Sequence, residues 1–588
     1  MIQMYEKKIN LSATRLFSLF AIFASFILIY NLLTLHHYPP GEYNIDIYSQ
    51  LPIFFWTGVI FVYFISCALI LQQDKTLKII GSVCIIVNFC VIYLILPELG
   101  SYVYGPSDEL THIGRMNFYL LDGYIDHTDI YPATTILYLS TSIFTGLGNR
   151  EISFILPAFV NLLFITGTIA FSNKIINFPH HIFYIFIPCS FILYFGHFHF
   201  SNVPQYTYFT LIPLILYILF SYLTQKNFSK SIVLVIFLLI TPFSHPFNWM
   251  FMILTLLSIF IYYIFSSGAN QNILNTLLLG FVSFITWFLY SSLFNSFEKI
   301  FSLFLSGSNN NMVAEKTLEQ FGKINLNLIE IIQFFLFYTG RYLIPFTLVI
   351  IFLLCFFKGK YNIPPKQYKN VLKLMGFFLL FTAIHSLLFF NNIISHSTDR
   401  ISNLVYGIFA LIPLFALSLN YLFSYDQKWA STLKVSIILT LVFSLSLFGV
   451  FYSPYIYRPN SVITESEVTG MEWLFDYKNE SPIYAIIGAH GYRYATYFMA
   501  PNEQRDRMGK DILWSDMANI PDHFGYNNRN SLEMYDSQYI PIPTRHELLY
   551  QTVYSSVGRF NKDDFAKFRE DLNIIKMYDS SDIEIYKS

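Results

Sequence analysis

The residues best suited to chemistry sit in a short polar stretch between two apolar runs. It reads Tyr104-Gly105-Pro106-Ser107-Asp108-Glu109-Leu110-Thr111-His112-Ile113-Gly114-Arg115. Ser107, after Pro106, is a good helix N-cap. A helix starting there puts Asp108, His112 and Arg115 at i, i+4 and i+7, on one face. A carboxylate, an imidazole and a guanidinium then point the same way at a membrane surface. Asp108 or Glu109 is suited to take a proton from a hydroxyl or amide nucleophile, and Asp108 is suited to hold a divalent cation such as Mg or Mn. The same pattern also reads as an amphipathic interfacial helix with its polar face in water. A further acidic run follows, Asp122, Asp126, His127 and Asp129, before Tyr131-Pro132 opens the next apolar segment.

A second polar island, His396-Ser397-Thr398-Asp399-Arg400, lies between two later apolar segments. There Asp399 and Arg400 are candidate substrate-binding groups, since a guanidinium can hold a phosphate bidentately. They also read as an ordinary helix-end anchor. Arg341 falls inside an apolar run, where a charge is costly and marks a functional candidate. His245 precedes Pro246 at a helix break and joins the substrate-binding candidates, although an apolar-run histidine also serves as packing. In the tail, Glu472-Trp473 and Asp522-His523-Phe524-Gly525-Tyr526 stand out, with Trp473 and Phe524 expected in a core. No GxSxG, Walker loop, HExxH or GxGxxG in a strand–helix context occurs, so nucleotide-driven transport and serine or zinc hydrolysis lack support.

These residues need a membrane to position them. Of 588 residues 54% are hydrophobic, 19% aromatic and only 12% charged, which excludes a soluble enzyme and a disordered chain. The net charge of -1 argues against a nucleic-acid partner. Fourteen apolar runs between 16 and 453 are candidate spans, of which about 13 are expected to cross, the short runs 132–148 and 181–196 being expected to be re-entrant or broken. The first run reads as a retained anchor with no small-residue cleavage site. Lys7, Lys8 and Arg15, Lys75 and Lys78, and Lys358 to Lys373 mark inner loops, which puts 98–131 and the tail outside. Residues 454–588 carry 34 of the chain's 73 charged residues and all five cysteines lie before them, so the tail is a water-soluble domain without disulfides. It reads as α/β, with a strand at Ile483–Ile487, a helix at Phe565–Leu572, and a hairpin of Asn573–Tyr578 and Ile583–Tyr586.

This layout resembles the C-type (GT-C) membrane glycosyltransferases, and within them uncharacterised, mainly archaeal multi-pass members. The likeness rests on Asp108-Glu109-Leu110-Thr111-His112-Ile113-Gly114, on Tyr131-Pro132-Ala133-Thr134 and on the tail strings. It differs in having three apolar segments before the loop and no Trp-Trp-Asp-type string. The resemblance implies a GT-C-like helical bundle with an extracytoplasmic α/β domain, divided into 1–97, 98–131, 132–453 and 454–588. It further implies a polyprenyl-phosphate sugar donor, a glycan or protein acceptor outside the cytosol, and a catalytic role for Asp108, often with a metal, with Glu109 as its neighbour. His112, Arg115, Arg341, His245, Asp399 and Arg400 are expected to bind substrate. A flippase or exporter of lipid-linked saccharides and a non-catalytic assembly protein are the competing readings.

Overall fold

The computed structural model describes residues 2–39, 41–105, 108–126, 129–176, 180–194, 196–200, 203–225, 227–267, 271–291, 327–361, 365–389, 405–423, 429–483, 491–507, 524, 538–555 and 560–588. The chain opens with α1 (Ile2–His37), a single turn α2 (Ile47–Gln50), α3 (Ile53–Ile70) and α4 (Lys75–Glu98). Strand β1 (Ser101–Tyr104) and α5 (Asp108–Asp122) form the polar loop. Then come α6 (Pro132–Thr145), α7 (Asn149–Ile176), α8 (His180–Tyr194), α9 (Pro204–Phe209), α10 (Ile212–Thr224), α11 (Phe228–Ser244), α12 (Pro246–Ser267) and α13 (Gln271–Tyr290). Four more helices of the bundle are described: α14 (Leu328–Phe357), α15 (Pro365–Phe389), α16 (Ile408–Leu422) and α17 (Trp429–Leu447).

Among the described residues nine segments are long and apolar enough to cross a bilayer, and four shorter apolar helices stand beside them. The chain is a polytopic α-helical membrane protein, in keeping with the expected thirteen or so apolar crossings. Helices satisfy their own backbone groups, which is what an apolar solvent demands. Their sides are joined by aromatics: the rings of Tyr63 and Phe443 stack at 4.0 Å between α3 and α17. The expected short run at 132–148 becomes the 14-residue α6, about 21 Å long at 1.5 Å per residue. That is less than the roughly 30 Å hydrocarbon core. The run 181–196 becomes the 15-residue α8, with a 3-10 turn at His197–Phe200 before α9.

The tail contains β2 (Val462–Thr464), α18 (Glu465–Tyr477), α19 (Gly491–Phe498), α20 (Pro501–Arg507), β3 (Tyr539–Pro543), α21 (Thr544–Leu548), α22 (Lys562–Glu570), β4 (Ile575–Asp579) and β5 (Ile583–Lys587). The last three strands form an antiparallel sheet in the order β3-β5-β4. The expected hairpin is β4–β5, and the expected helix is α22, whose Asn561–Asp564 capping box fixes its start. Phe524 is buried against Phe560, Phe565 and Phe568, as a core residue should be. Trp473 is half-buried against Tyr477 and Tyr578. Of the strand expected at Ile483–Ile487, only Ile483 lies among the described residues, and it bridges Tyr539 in parallel. Asp522, His523, Gly525 and Tyr526 lie outside the described residues.

Three connections lock the tail to one end of the bundle. Strand β1 pairs antiparallel with β2, Ser101 opposite Thr464 and Tyr104 opposite Val462. The Tyr43 amide donates to Asp582 at 2.8 Å, and the Tyr43 hydroxyl donates to the Asn460 carbonyl at 2.7 Å. Arg150, at the start of α7, donates to the carbonyls of Tyr102 and Ser101 at 3.2 and 3.3 Å. Since α4 ends beside β1, its first residues Lys75 and Lys78 lie at the far end. Helix α7 likewise runs away from the tail, and the carbonyl of its last residue, Ile176, accepts from Asn370 at 2.7 Å. Lys174 and the lysines around 369–373 therefore share that far end.

On the tail's outer edge, Glu584 accepts from Lys576 and Arg569. Burial alone would raise its carboxyl, but these bonds and one from Tyr586 outweigh burial and hold it below the usual range. Such a group stabilises the folded tail above its unfolded value, about 4.3, and loses that contribution as pH falls through the folded value. Acid titration of thermal melting should therefore show a loss of about 1 kcal/mol below about pH 4, and Glu584→Gln should flatten that part of the curve.

Candidate functional site

The site is built on the first two turns of α5, which are almost fully buried. Asp108, Glu109, Leu110, Thr111, His112, Ile113 and Gly114 are all inaccessible or nearly so. Leu110 and Ile113 pack into one apolar cluster with Val103 of β1 and with Met471, Leu474 and Tyr494 of the tail. That packing draws a charged helix start into the seam between bundle and tail. Gly114 makes the approach close enough, because a Cβ there would run into the backbone of Thr496 and Tyr497 in α19.

The two adjacent carboxylates face different ways, as neighbours about 100° apart on a helix must. Asp108 is ion-paired with Arg493 of α19. The same guanidinium donates to the Thr111 hydroxyl at 3.3 Å. Glu109 is 2% exposed and fills the space over Gly105, whose φ of +140° and missing side chain are both required there. The hydroxyls of Tyr104 and Tyr138 lie within its electrostatic reach. So Asp108 faces the tail and Glu109 faces the bundle.

The expected single face of Asp108, His112 and Arg115 forms, but it is divided between partners. His112 is buried within α5. Arg115 donates to Asp129 at 2.7 Å. Asp129 is 1% exposed and also accepts from the Tyr119 hydroxyl at 2.6 Å, the Thr135 hydroxyl at 3.2 Å and the Tyr131 amide at 3.1 Å. Asp129 is thus brought back onto α5. Behind it, the Tyr131 ring stacks on His245 at 4.9 Å, and the Trp287 indole donates to the Ile130 carbonyl at 2.8 Å. A pocket opens at this seam, lined among others by Arg115, Tyr119, Asp126 and Asp129 and by Thr496 and Gln504 of the tail.

Arg341 occupies a different place from Asp108. It lies on α14, two turns beyond Phe334, whose ring touches Tyr457 at the start of the tail. It is buried against Gly196 and over the Tyr342 ring at 4.7 Å. Next to it is His199, driven down to about 3 by burial and by the Arg341 charge, against the opposing bond with Gly196. The His199 carbonyl accepts from Tyr93 at 2.5 Å and from Asn161 at 3.1 Å. Phe200, the next residue, meets Tyr104 at 5.9 Å. The Arg341–His199 group is therefore joined to the Glu109 side of α5 through Tyr104. Asp399 and Arg400 lie outside the described residues.

Arg493 was invisible to sequence reasoning, since it stands 385 residues from Asp108. So was the buried group in the tail beneath it. There Glu467 accepts from Tyr494 at 2.5 Å and from Arg545 at 3.1 Å. Burial raises the Glu467 carboxyl even though Arg545 opposes it. For metal binding, no three His, Cys, Asp or Glu side chains come together among the described residues. At Asp108 a cation would meet one carboxylate and a guanidinium.

No family model matches the chain, and no curated protein matches it. Among solved structures, the crystal structure of ArnT from Cupriavidus metallidurans in the apo state is similar over 86% of this chain and 98% of that one, at 10% identity and a TM-score of 0.43.

Asp129 tests the seam. Asp129→Asn leaves Arg115 facing a neutral amide in a buried setting, and the variant should lose about 3 kcal/mol of stability in detergent melting. Adding Arg115→Met should recover part of that loss, because the second change removes the stranded charge.

Proposed function

We propose that this protein is a membrane glycosyltransferase that moves a sugar from a polyprenyl-phosphate-linked donor to an acceptor on the tail side of the membrane. The observation that carries the reading is the burial of two carboxylates, Asp108 and Glu109, in the seam between an apolar bundle and a polar tail. Ionisable groups are held in such a place at a cost, and they mark functional sites. The layout has the parts the reaction needs. A lipid-linked donor keeps its chain among the helices and its phosphate at the interface. Its acceptor arrives from water.

In the proposed step an acceptor hydroxyl attacks the anomeric carbon of the donor sugar. The bond from that carbon to the phosphate oxygen breaks, and the polyprenyl phosphate leaves with the electron pair. Asp108 takes the hydroxyl proton, and Arg493 orients its carboxylate and balances its charge. Arg341, buried beside His199 on the Glu109 side, is assigned to the donor phosphate, whose charge grows as the bond breaks. Fixed cations at such a point lower the barrier. The lysines at the end of the bundle away from the tail favour a cytosolic position for that end, which puts the tail outside.

Purified protein in nanodiscs, given a labelled polyprenyl-phosphate sugar and an acceptor, provides the test. Asp108→Asn should lower transfer at least 100-fold, within the usual range for losing a general base. Full activity in that variant would remove Asp108 from its role. Arg341→Ala should raise the donor KM at least tenfold, with Arg341→Lys intermediate. Movement of the lipid-linked sugar across the bilayer without any new glycosidic bond would replace the transferase reading with a flippase.

A further inference from the structure

Arg493 reaches Asp108 from α19, a helix of eight residues. So short a helix has little stability of its own and takes its orientation from what it packs against. Two paired strands supply the holds. Strand β1 leads toward α5 and Asp108, and its antiparallel partner β2 leads into α18 and Glu467. Asp108 takes Arg493. Glu467 takes the next residue, Tyr494, whose hydroxyl donates to it at 2.5 Å. Consecutive residues of α19 are thus each held by one carboxylate, one from behind each strand.

The two holds are unequal. The Arg493 side chain is about a quarter exposed, and an arginine has many rotamers to lose. Tyr494 is fully buried, in the cluster that contains Leu110 and Ile113 of α5, and its ring is stiff. Glu467 is 1% exposed. It is the third residue of α18, and the cap residue Thr464 accepts from its amide at 3.2 Å. A glutamate in that position ordinarily turns back to the amide of the cap. This one instead accepts from Tyr494 and, at 3.1 Å, from Arg545 of α21, whose buried guanidinium meets its charge. Successive side chains on a helix project about 100° apart. The rotation of α19 that seats Tyr494 on Glu467 therefore also determines where Arg493 points. We propose that Glu467 is a positioning residue: through Tyr494 it sets the rotation of α19 that presents Arg493 to Asp108. Its consequence for transfer rests on the glycosyltransferase reading above, but the orientation of α19 does not.

The orientation is read by cross-linking the full chain in nanodiscs. The hydroxyls of Thr111 on α5 and Thr496 on α19 are 3.4 Å apart. Thr111→Cys together with Thr496→Cys should form a disulfide under mild oxidation, detected by mass spectrometry. Adding Tyr494→Phe, which keeps the ring and removes the hydroxyl, should slow that cross-link at least fivefold while the melting temperature is kept. Glu467→Leu paired with Arg545→Met, which strands no guanidinium, should do the same. In the transfer assay Tyr494→Phe should lower kcat at least tenfold with the donor KM unchanged, since a misplacement of about 1 Å costs that much or more. In an Arg493→Gln background the same change should lower kcat less than twofold, because the tyrosine acts through the arginine. A weakened fold would lose activity equally in both backgrounds, and that result overturns the proposal. Cross-linking indifferent to Tyr494→Phe and to the Glu467 pair overturns it as well, and leaves the transferase intact if Asp108→Asn abolishes transfer. Slowed cross-linking beside full transfer in Asp108→Asn removes the base and keeps Glu467 as the residue that orients α19.

Discussion

The ion pair between Asp108 and Arg493 is the constraint on which the arrangement turns. A helix that begins with two acidic residues would ordinarily keep its first turn in water. Here Leu110 and Ile113, one turn on, are part of the same apolar cluster as the tail. Burying those two side chains drags the carboxylates into the seam with them. A buried carboxylate without a counter-charge is expensive. Arg493 meets that need for Asp108, and in doing so it fixes α19 across α5. The tail is thereby part of the site and not an appendage to it.

The seam divides its charged groups between two sides. Toward the tail stand Asp108 with Arg493, then Arg115 with Asp129 and Asp126. Toward the bundle stand Glu109 and, past Tyr104, the Arg341–His199 group. His199 stays neutral there because burial and a neighbouring guanidinium both oppose its protonation. A helix start with carboxylates on two sides thus meets the tail from one side and the bundle from the other. That division follows from the 100° step between successive residues on α5. It also makes the adjacency of Asp108 and Glu109 in sequence a poor guide to their roles, since the two side chains meet different groups.

The two ion pairs of the seam differ in exposure. Asp108 is held by Arg493, whose side chain is about a quarter exposed. Asp129, by contrast, accepts four bonds in a nearly closed environment.

Much of this protein was written in composition. The concentration of charge in the last 135 residues, the apolar runs and the Lys-rich turns mark a helical bundle with a soluble tail, because hydropathy is a local property that partitioning into a bilayer reads directly. The β4–β5 hairpin was legible through its turn residues, and a helix near α22 and one opening at Asp108 were expected too, although Ser107, the expected cap, lies outside the described residues. What the tertiary structure alone decided is which charges meet. Arg493 and Asp108 are 385 positions apart, Arg115 finds Asp129 across the turn that follows α5, and Arg341 sits with His199 and not with Asp108. A sequence states how many charges must be neutralised in the seam. The packing of Leu110, Ile113 and Gly114 against the tail determines the partners, since burial is settled by contacts between elements and not within them.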